Sequence, residues 1–177
     1  RLAVFQAISE ERVKLKGKAS KQWEESLSSA LSNGVEKFAA EHLYEVDFFK
    51  FLQFEADRQL RLVEKKIKER NLVIGLYRDL PVGVSKDSTE FWGDKYLYMQ
   101  GSGAGAPPDN YFPTGKKWQL GVFNPFELKE RCYKPFIRIL RANMRYAGAV
   151  RIDHVMGLSR LYVIPDKGEE GTYICYN

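Results

Sequence analysis

The chain has 177 residues, 44% of them hydrophobic and 29% charged, a balance typical of a soluble globular domain. Its net charge is +5 and its pI about 9.1, but basic residues are interleaved with acidic ones, so we expect no nucleic-acid partner. No apolar stretch reaches the roughly 18 residues of a membrane span, so no membrane partner is expected either.

The first residue and the cysteines give two further expectations. Since the chain opens with Arg1 rather than Met, inside an apparent helix, we expect a piece of a longer protein. Cys132 and Cys175 lack metal-ligand spacing and are more simply explained as buried or idle thiols than as a disulfide. Such thiols fit a reducing compartment, so the cytoplasm is the expected location, or a plastid in a plant.

Residues 1–70 are predicted to form a helical segment. Residues 1–33 favour helical pieces, and apolar residues then recur every three or four positions over 38–67. One unbroken helix over that stretch would be about 50 Å long, which is more than a compact domain accommodates, so a break is expected near 41–44. Asn71 is the expected C-terminal stop.

Residues 71–177 are predicted to form the second part of the chain, beginning with a buried strand. The apolar run 72–77 has the length of a strand, and Pro81 follows its end. Residues 83–124 are rich in glycine, proline and aromatic residues, and we expect one long, ordered loop there. Such loops are uncommon in compact domains unless they serve a function.

A strand–helix–strand unit is predicted across the end of this loop. A short helix is expected over 124–131, and a second helix over 134–148 with Pro135 near its start. Residues 149–154, Ala-Val-Arg-Ile-Asp-His, then predict a second buried strand, parallel to the first. Two weaker strand candidates follow, at 162–165 and 172–176.

The second strand carries the strongest candidate for a chemical site. Because side chains alternate along a strand, Ala149, Arg151 and Asp153 share one face. The guanidinium of Arg151 would favour the ionised form of Asp153, and a retaining glycosidase needs such a carboxylate as its nucleophile. An ordinary buried Arg–Asp pair is the alternative, and the pattern alone favours it.

Other kinds of catalytic site lack their residues in this sequence. His42 and His154 are the two histidines, which argues against a histidine metal site. The glycine-rich stretch 101–105 precedes prolines rather than a helix start, which argues against a phosphate loop. No serine lies in a nucleophile-elbow motif, so a Ser–His–Asp triad is not predicted.

Three motifs, in order along the chain, resemble glycoside hydrolase family 77, the 4-α-glucanotransferases. They are GLYRDLPVGV at 75–84, GAPPD at 105–109 and RIDHVMG at 151–157. The helix at 51–60 also resembles the one before strand 3 of that family, so the likeness runs from about Phe38 to Asn177. Three motifs in register are a specific signal for the family. They favour the interpretation of Asp153 as a nucleophile over that of an ordinary ion pair.

The resemblance implies a fold, an activity and a set of roles. The fold would be α/β, part of a (β/α)₈ barrel around strands 3 and 4 with helical and loop insertions. The activity would be retaining transfer of α-1,4-glucan segments between maltooligosaccharides or starch, with no cofactor and no metal. Asp153 would be the catalytic nucleophile. The implied substrate-binding residues are Arg151, which holds that nucleophile, His154, Asp109, Trp118 and Asp79.

Three features separate the chain from the usual family pattern. One is Tyr162-Val163, which stands before Ile-Pro where the family commonly has Trp-Trp. Where the family has Trp-Gly before a proline, this chain has Trp118-Gln119 and then Leu120, which affects the expected acceptor binding and substrate size. The acid/base glutamate and the third carboxylate belong to later strands absent from the sequence, so the chain alone is expected to be inactive. The remainder of the same enzyme is an expected partner. A noncatalytic relative that only binds α-glucan is the alternative.

Overall fold

A computed structural model describes residues 1–16, 23–168 and 170–176. The fold is mixed α/β, and the chain divides into two compact units. The first comprises Arg1–Val63 and Asp87–Lys95, and the second comprises Glu64–Lys86 and Tyr96–Asn177. The short stretch Asp87–Lys95 therefore belongs with the N-terminal helices and not with the loop region predicted over 83–124.

The first unit is built from helices around an aromatic core. It contains α1 (Leu2–Lys16), a 3-10 turn (Glu25–Leu27), α2 (Gly34–Glu41), most of α3 (Leu43–Glu69) and α4 (Thr89–Gly93). The rings of Phe5, Trp23 and Trp92 have centroids 5.2–6.4 Å apart. The indole of Trp92 donates a hydrogen bond to the carbonyl of Leu27 at 2.8 Å, which satisfies a buried donor.

The break between α2 and α3 falls at His42, inside the predicted interval. His42 leaves the helical conformation with φ −120° and ψ 43°, and its imidazole stacks on Phe38 at 4.1 Å between centroids. The end of α3 follows the sequence as well, because Asn71 takes a left-handed φ of 54° two residues after Glu69. The stop at Asn71 was predicted from local sequence, whereas the break was predicted from the length that an unbroken helix would have.

The second unit contains two sheets and two helices, α5 (Pro125–Glu130) and α6 (Lys134–Met144). A 3-10 turn spans Val155–Leu158, and another joins the two units in the chain at Lys95–Leu97. The strands are β1 (Tyr77–Leu80), β2 (Val84–Ser85), β3 (Ser102–Ala106), β4 (Lys116–Gly121), β5 (Ala149–Ile152), β6 (Arg160–Pro165) and β7 (Thr172–Cys175).

β1 and β5 form a parallel pair, as the strand–helix–strand prediction required. Asn124 caps α5 by accepting a hydrogen bond from the N–H of Phe126 at 3.1 Å, and Pro125 and Pro135 occupy the first turns of α5 and α6. α6 ends at Met144, earlier than the predicted end at 148, because the next residue is already extended. The connection therefore returns the chain to β5 beside β1.

The loop predicted over 83–124 is largely wrong, because this stretch contributes three strands to an antiparallel sheet. The strand order is β2-β4-β3-β6-β7, in which the two weaker strand predictions are confirmed as β6 and β7. The sequence of β3, Ser-Gly-Ala-Gly-Ala, has no large side chains that could reveal alternation. It needs small residues: a Cβ on Gly105 would lie 2.7 Å from the carbonyl oxygen of Lys116.

A bulge interrupts the pairing of β3 with β4. Ala104 pairs with Leu120, but Gly105 pairs with Lys117, so two extra residues of β4 lie between these pairs. The extra residues are Trp118 and Gln119. Gln119 takes a left-handed φ of 59°, a conformation that glycine adopts without steric cost.

The apolar run 72–77 is not a strand, so that prediction is wrong for all but its last residue. β1 begins at Tyr77, and Gly75 before it has a left-handed φ of 71°, which ends any extended backbone. Val73 is fully exposed and Ile74 is 59% exposed. Hydrophobicity alone therefore placed the strand too early in the chain.

Among the described residues, no helix has both the length and the apolarity that a membrane crossing requires. Cys132 and Cys175 are free thiols, and both are exposed rather than buried.

Replacing Gln119 by glycine should stabilise the protein. A left-handed conformation costs a residue with a Cβ about 1–2 kcal/mol, and glycine avoids this cost. Glycine has more conformational freedom to lose on folding, which lowers stability by about 0.5–1 kcal/mol. The free energy of unfolding should therefore rise by about 0.5–1 kcal/mol. Chemical denaturation measures this gain as free energy of unfolding. Gln119→Ala is the matched control, since it shortens the side chain but keeps the left-handed cost. Equal gains from both variants would contradict the explanation.

Candidate active site

The candidate site lies where the parallel strands β1 and β5 end. Asp79 is opposite Arg151 in the register, and the N–H of Asp153 donates to the carbonyl of Leu80 at 3.0 Å. The two strands run in the same direction, so their carboxyl ends meet at one edge of the sheet. This edge therefore brings together Asp79 and Arg151, near the ends of their strands, and Asp153, which directly follows β5.

The guanidinium of Arg151 binds two carboxylates at once. Its Nη1 donates to Oδ2 of Asp79 at 2.6 Å, and its Nη2 donates to Oδ1 of Asp153 at 2.6 Å. The charges and hydrogen bonds of Asp153 and Asp79, with the charge of Asp153 the largest cause, raise the pKa of Arg151 above its ordinary value. Arginine thus stays charged at any pH at which an enzyme works. The three side chains are 44–59% exposed, so solutes can reach the cluster.

His154 starts a tight turn directly after the strand. The strand ends at Ile152, so the predicted alternation does not extend to His154, whose φ of 50° and ψ of 59° are left-handed. Its carbonyl accepts a hydrogen bond from the N–H of Gly157 at 2.8 Å. The imidazole meets the indole of Trp118 edge to face, with centroids 5.3 Å apart and ring planes at 86°. This contact links the antiparallel sheet to the site.

Asp109 organises its own loop. Its Oδ1 accepts hydrogen bonds from the N–H groups of Tyr111 and Phe112 at 2.8 and 2.7 Å, and its N–H donates to the carbonyl of Phe112 at 3.1 Å. The ammonium of Lys116 lies 5.1 Å from the ring centre of Phe112. The structure therefore joins Asp79, Arg151 and Asp153 by direct ion pairs, whereas the described hydrogen bonds of Asp109 are local to its loop.

Sequence reasoning missed two features of this site. The link between Asp79 and Arg151 depends on strand register, although their positions at two strand ends gave a usable signal. The contact between Trp118 and His154 had no sequence signal, because it depends on the bulge in β4. Within the part of the chain that the structure describes, no three His, Cys, Asp or Glu side chains group as metal ligands would.

The architecture is similar to that of solved amylomaltases. The amylomaltase from Streptococcus agalactiae, solved in complex with acarbose, matches with a TM-score of 0.85 at 20% identity, over 98% of this chain and 36% of its own. The amylomaltase from Corynebacterium glutamicum matches with a TM-score of 0.77 at 28% identity, over 99% of this chain and 23% of its own. At 20% identity, the first of these likenesses establishes the fold alone.

The chain belongs to the 4-alpha-glucanotransferase family, glycoside hydrolase family 77, whose sequence profile matches residues 1–177. A 4-alpha-glucanotransferase from Haemophilus influenzae is 41% identical over 159 residues, which are 88% of this chain. The chain spans only 22% of the length of that relative, and 22% of the relative from Mycobacterium bovis. The family that the three motifs indicated is confirmed, while the roles of individual residues stay predictions.

Proposed function

We propose that this chain is the part of a 4-alpha-glucanotransferase that holds its catalytic nucleophile, Asp153. The observation that carries the proposal is the guanidinium of Arg151, bound at 2.6 Å both to Asp153 and to Asp79 at the ends of adjacent parallel strands. A nucleophilic carboxylate must be ionised and held in place, and the fork of an arginine does both.

The proposed complete fold is a (β/α)₈ barrel in which β1 and β5 are the third and fourth strands. A parallel pair linked by helices is the repeating unit of such barrels, and their chemistry lies at the carboxyl ends of the strands. The exposed apolar run at Val73 and Ile74 supports further chain packed against this unit. The 22% coverage of the relatives supports it too.

The proposed reaction is a double displacement on an α-1,4-glucan. Because Arg151 binds Oδ1 of Asp153, Oδ2 is the oxygen that attacks the anomeric carbon. The bond from that carbon to the glycosidic oxygen breaks, and the oxygen takes a proton from a second carboxylic acid. The 4-hydroxyl oxygen of an acceptor glucan then attacks the same carbon, displaces Asp153 and returns its proton to the acid.

The second carboxylic acid is proposed to come from the remainder of the same enzyme, so this chain alone would be inactive. The substrate class rests on the family, whose member from Streptococcus agalactiae was solved with acarbose. His154, Asp109 and Asp79 are the proposed substrate-binding residues besides Arg151, and Trp118 belongs to the same site through its ring contact with His154. We further propose a reducing compartment such as the cytoplasm, with no membrane or nucleic-acid partner.

Asp153→Asn in the complete enzyme should lower maltotriose disproportionation at least about 1,000-fold, because an amide cannot form the glycosyl-enzyme bond. Glucose release from maltotriose measures the activity. Asp47→Asn is the matched control, since Asp47 is an exposed aspartate of α3 that pairs with Lys50 at 2.8 Å. Full activity of Asp153→Asn would refute the proposal.

Arg151→Lys should lower the same activity roughly 10- to 100-fold, the range of one lost hydrogen bond to a charged group. A lysine ammonium keeps the charge but lacks the planar fork that reaches both carboxylates. The melting temperature should change little, because the side chain is half exposed. Arg138→Lys, an exposed arginine of α6, should leave both quantities unchanged. If Arg151→Lys were as active as the Arg138→Lys control, the planar fork of the arginine would not be needed.

A noncatalytic glucan-binding relative is the second candidate, and Gln119 favours it. The family usually has glycine at this position, and a side chain there changes the surface of β4 beside His154. Binding of maltoheptaose with no turnover in the complete protein would support the binding module. Turnover at a rate comparable to that of relatives would exclude it.

A further inference from the structure

Trp118 lies where the antiparallel sheet reaches the candidate active site. Its indole and the imidazole of His154 are 5.3 Å apart and nearly perpendicular. We infer that Trp118 is a positioning residue, whose ring fixes the imidazole of His154 beside the nucleophile. The inference rests on the proposed function, because it concerns a histidine that would hold the donor sugar.

The bulge in β4 explains why Trp118 reaches His154. Residues in a bulge leave the regular alternation, and bulges next to active sites re-aim side chains. Trp118 is the first of the two extra residues, and the left-handed Gln119 follows it. The indole also packs on the buried core of the sheet, which includes Val122 and Leu161. The ring is therefore anchored by the sheet core and contacts His154 from a fixed position.

The backbone of His154 is fixed by its own turn, so rotation of the ring is its remaining freedom. The left-handed conformation and the hydrogen bond from Gly157 hold the main chain. Perpendicular ring pairs at this separation are attractive, so the indole favours one orientation of the imidazole. Without it the imidazole would sample other rotamers, and fewer molecules would direct it toward a sugar bound at Asp153.

A direct sugar contact by Trp118 predicts a different result. A ring that stacks on sugar contributes whether or not His154 is present. A ring that acts through His154 contributes nothing once the imidazole is removed. The two roles therefore differ in how the two substitutions combine.

The test is a double-mutant cycle of Trp118→Leu and His154→Ala in the complete enzyme. Single-turnover fluoride release from α-maltosyl fluoride reports formation of the glycosyl-enzyme and needs no acceptor. Trp118→Leu alone should slow this step roughly 3- to 10-fold, the range that one aromatic edge contact contributes. It should cause no further loss in the His154→Ala background. Trp118→Phe, which keeps a ring at this position, should restore most of the rate.

The ring contact itself can be followed by NMR in the 177-residue chain. His42 and His154 are its two histidines, and His42 stacks on Phe38, so its signals are an internal reference. Trp118→Leu should shift the imidazole signals of His154 and leave those of His42 in place. If the leucine variant does not fold, Trp118→Met replaces it, because methionine fills irregular apolar space.

The outcomes separate the inference from the proposed function. Equal losses with and without His154 would overturn the inference and assign Trp118 to direct sugar binding. Unchanged His154 signals would overturn it as well. An inactive wild-type complete enzyme would refute the proposed function and the inference together, whereas an active enzyme with additive losses refutes the inference alone.

Discussion

The site depends on one guanidinium placed between two carboxylates. Arg151 can reach both Asp79 and Asp153 because the parallel register puts Asp79 opposite it and the chain direction puts Asp153 two residues later. A lysine would place both contacts on one nitrogen, whereas arginine offers donors on separate nitrogens of one planar group. Because the cluster is half exposed, its ion pairs contribute little to the stability of the fold. They hold two acidic side chains in one orientation while leaving them accessible to a solute.

The antiparallel sheet gives this cluster a second support. Its strands come from a stretch whose glycines, prolines and aromatic residues suggest a loop, yet the small residues of β3 are what allow β4 to approach so closely. A Cβ on Gly103 would lie 3.0 Å from the carbonyl oxygen of Leu120, next to the bulge. The same close approach brings Trp118 to His154. Secondary structure and site geometry therefore depend on the same glycines.

Much of the fold followed from local sequence, and the exceptions have identifiable causes. The stop at Asn71 and the Asn124 cap are local preferences, so capping rules found them, and the helix break at His42 followed from the limit on the length of one helix. The contact of Arg151 with Asp153 followed from strand alternation. β3 was missed because small residues show no alternation. The strand predicted over 72–77 was wrong because an apolar run does not reveal what it packs against.

The parallel pair has a consequence for how the protein could be taken apart and put back together. Among the described residues, the backbones of β1 and β5 pair only with each other, so each presents an outer edge of amide and carbonyl groups. Such edges accept a further strand of the right direction and length, and strand addition is a common mode of peptide recognition. Each outer edge of this βαβ unit is thus a surface to which a separate piece of chain can pair through its backbone.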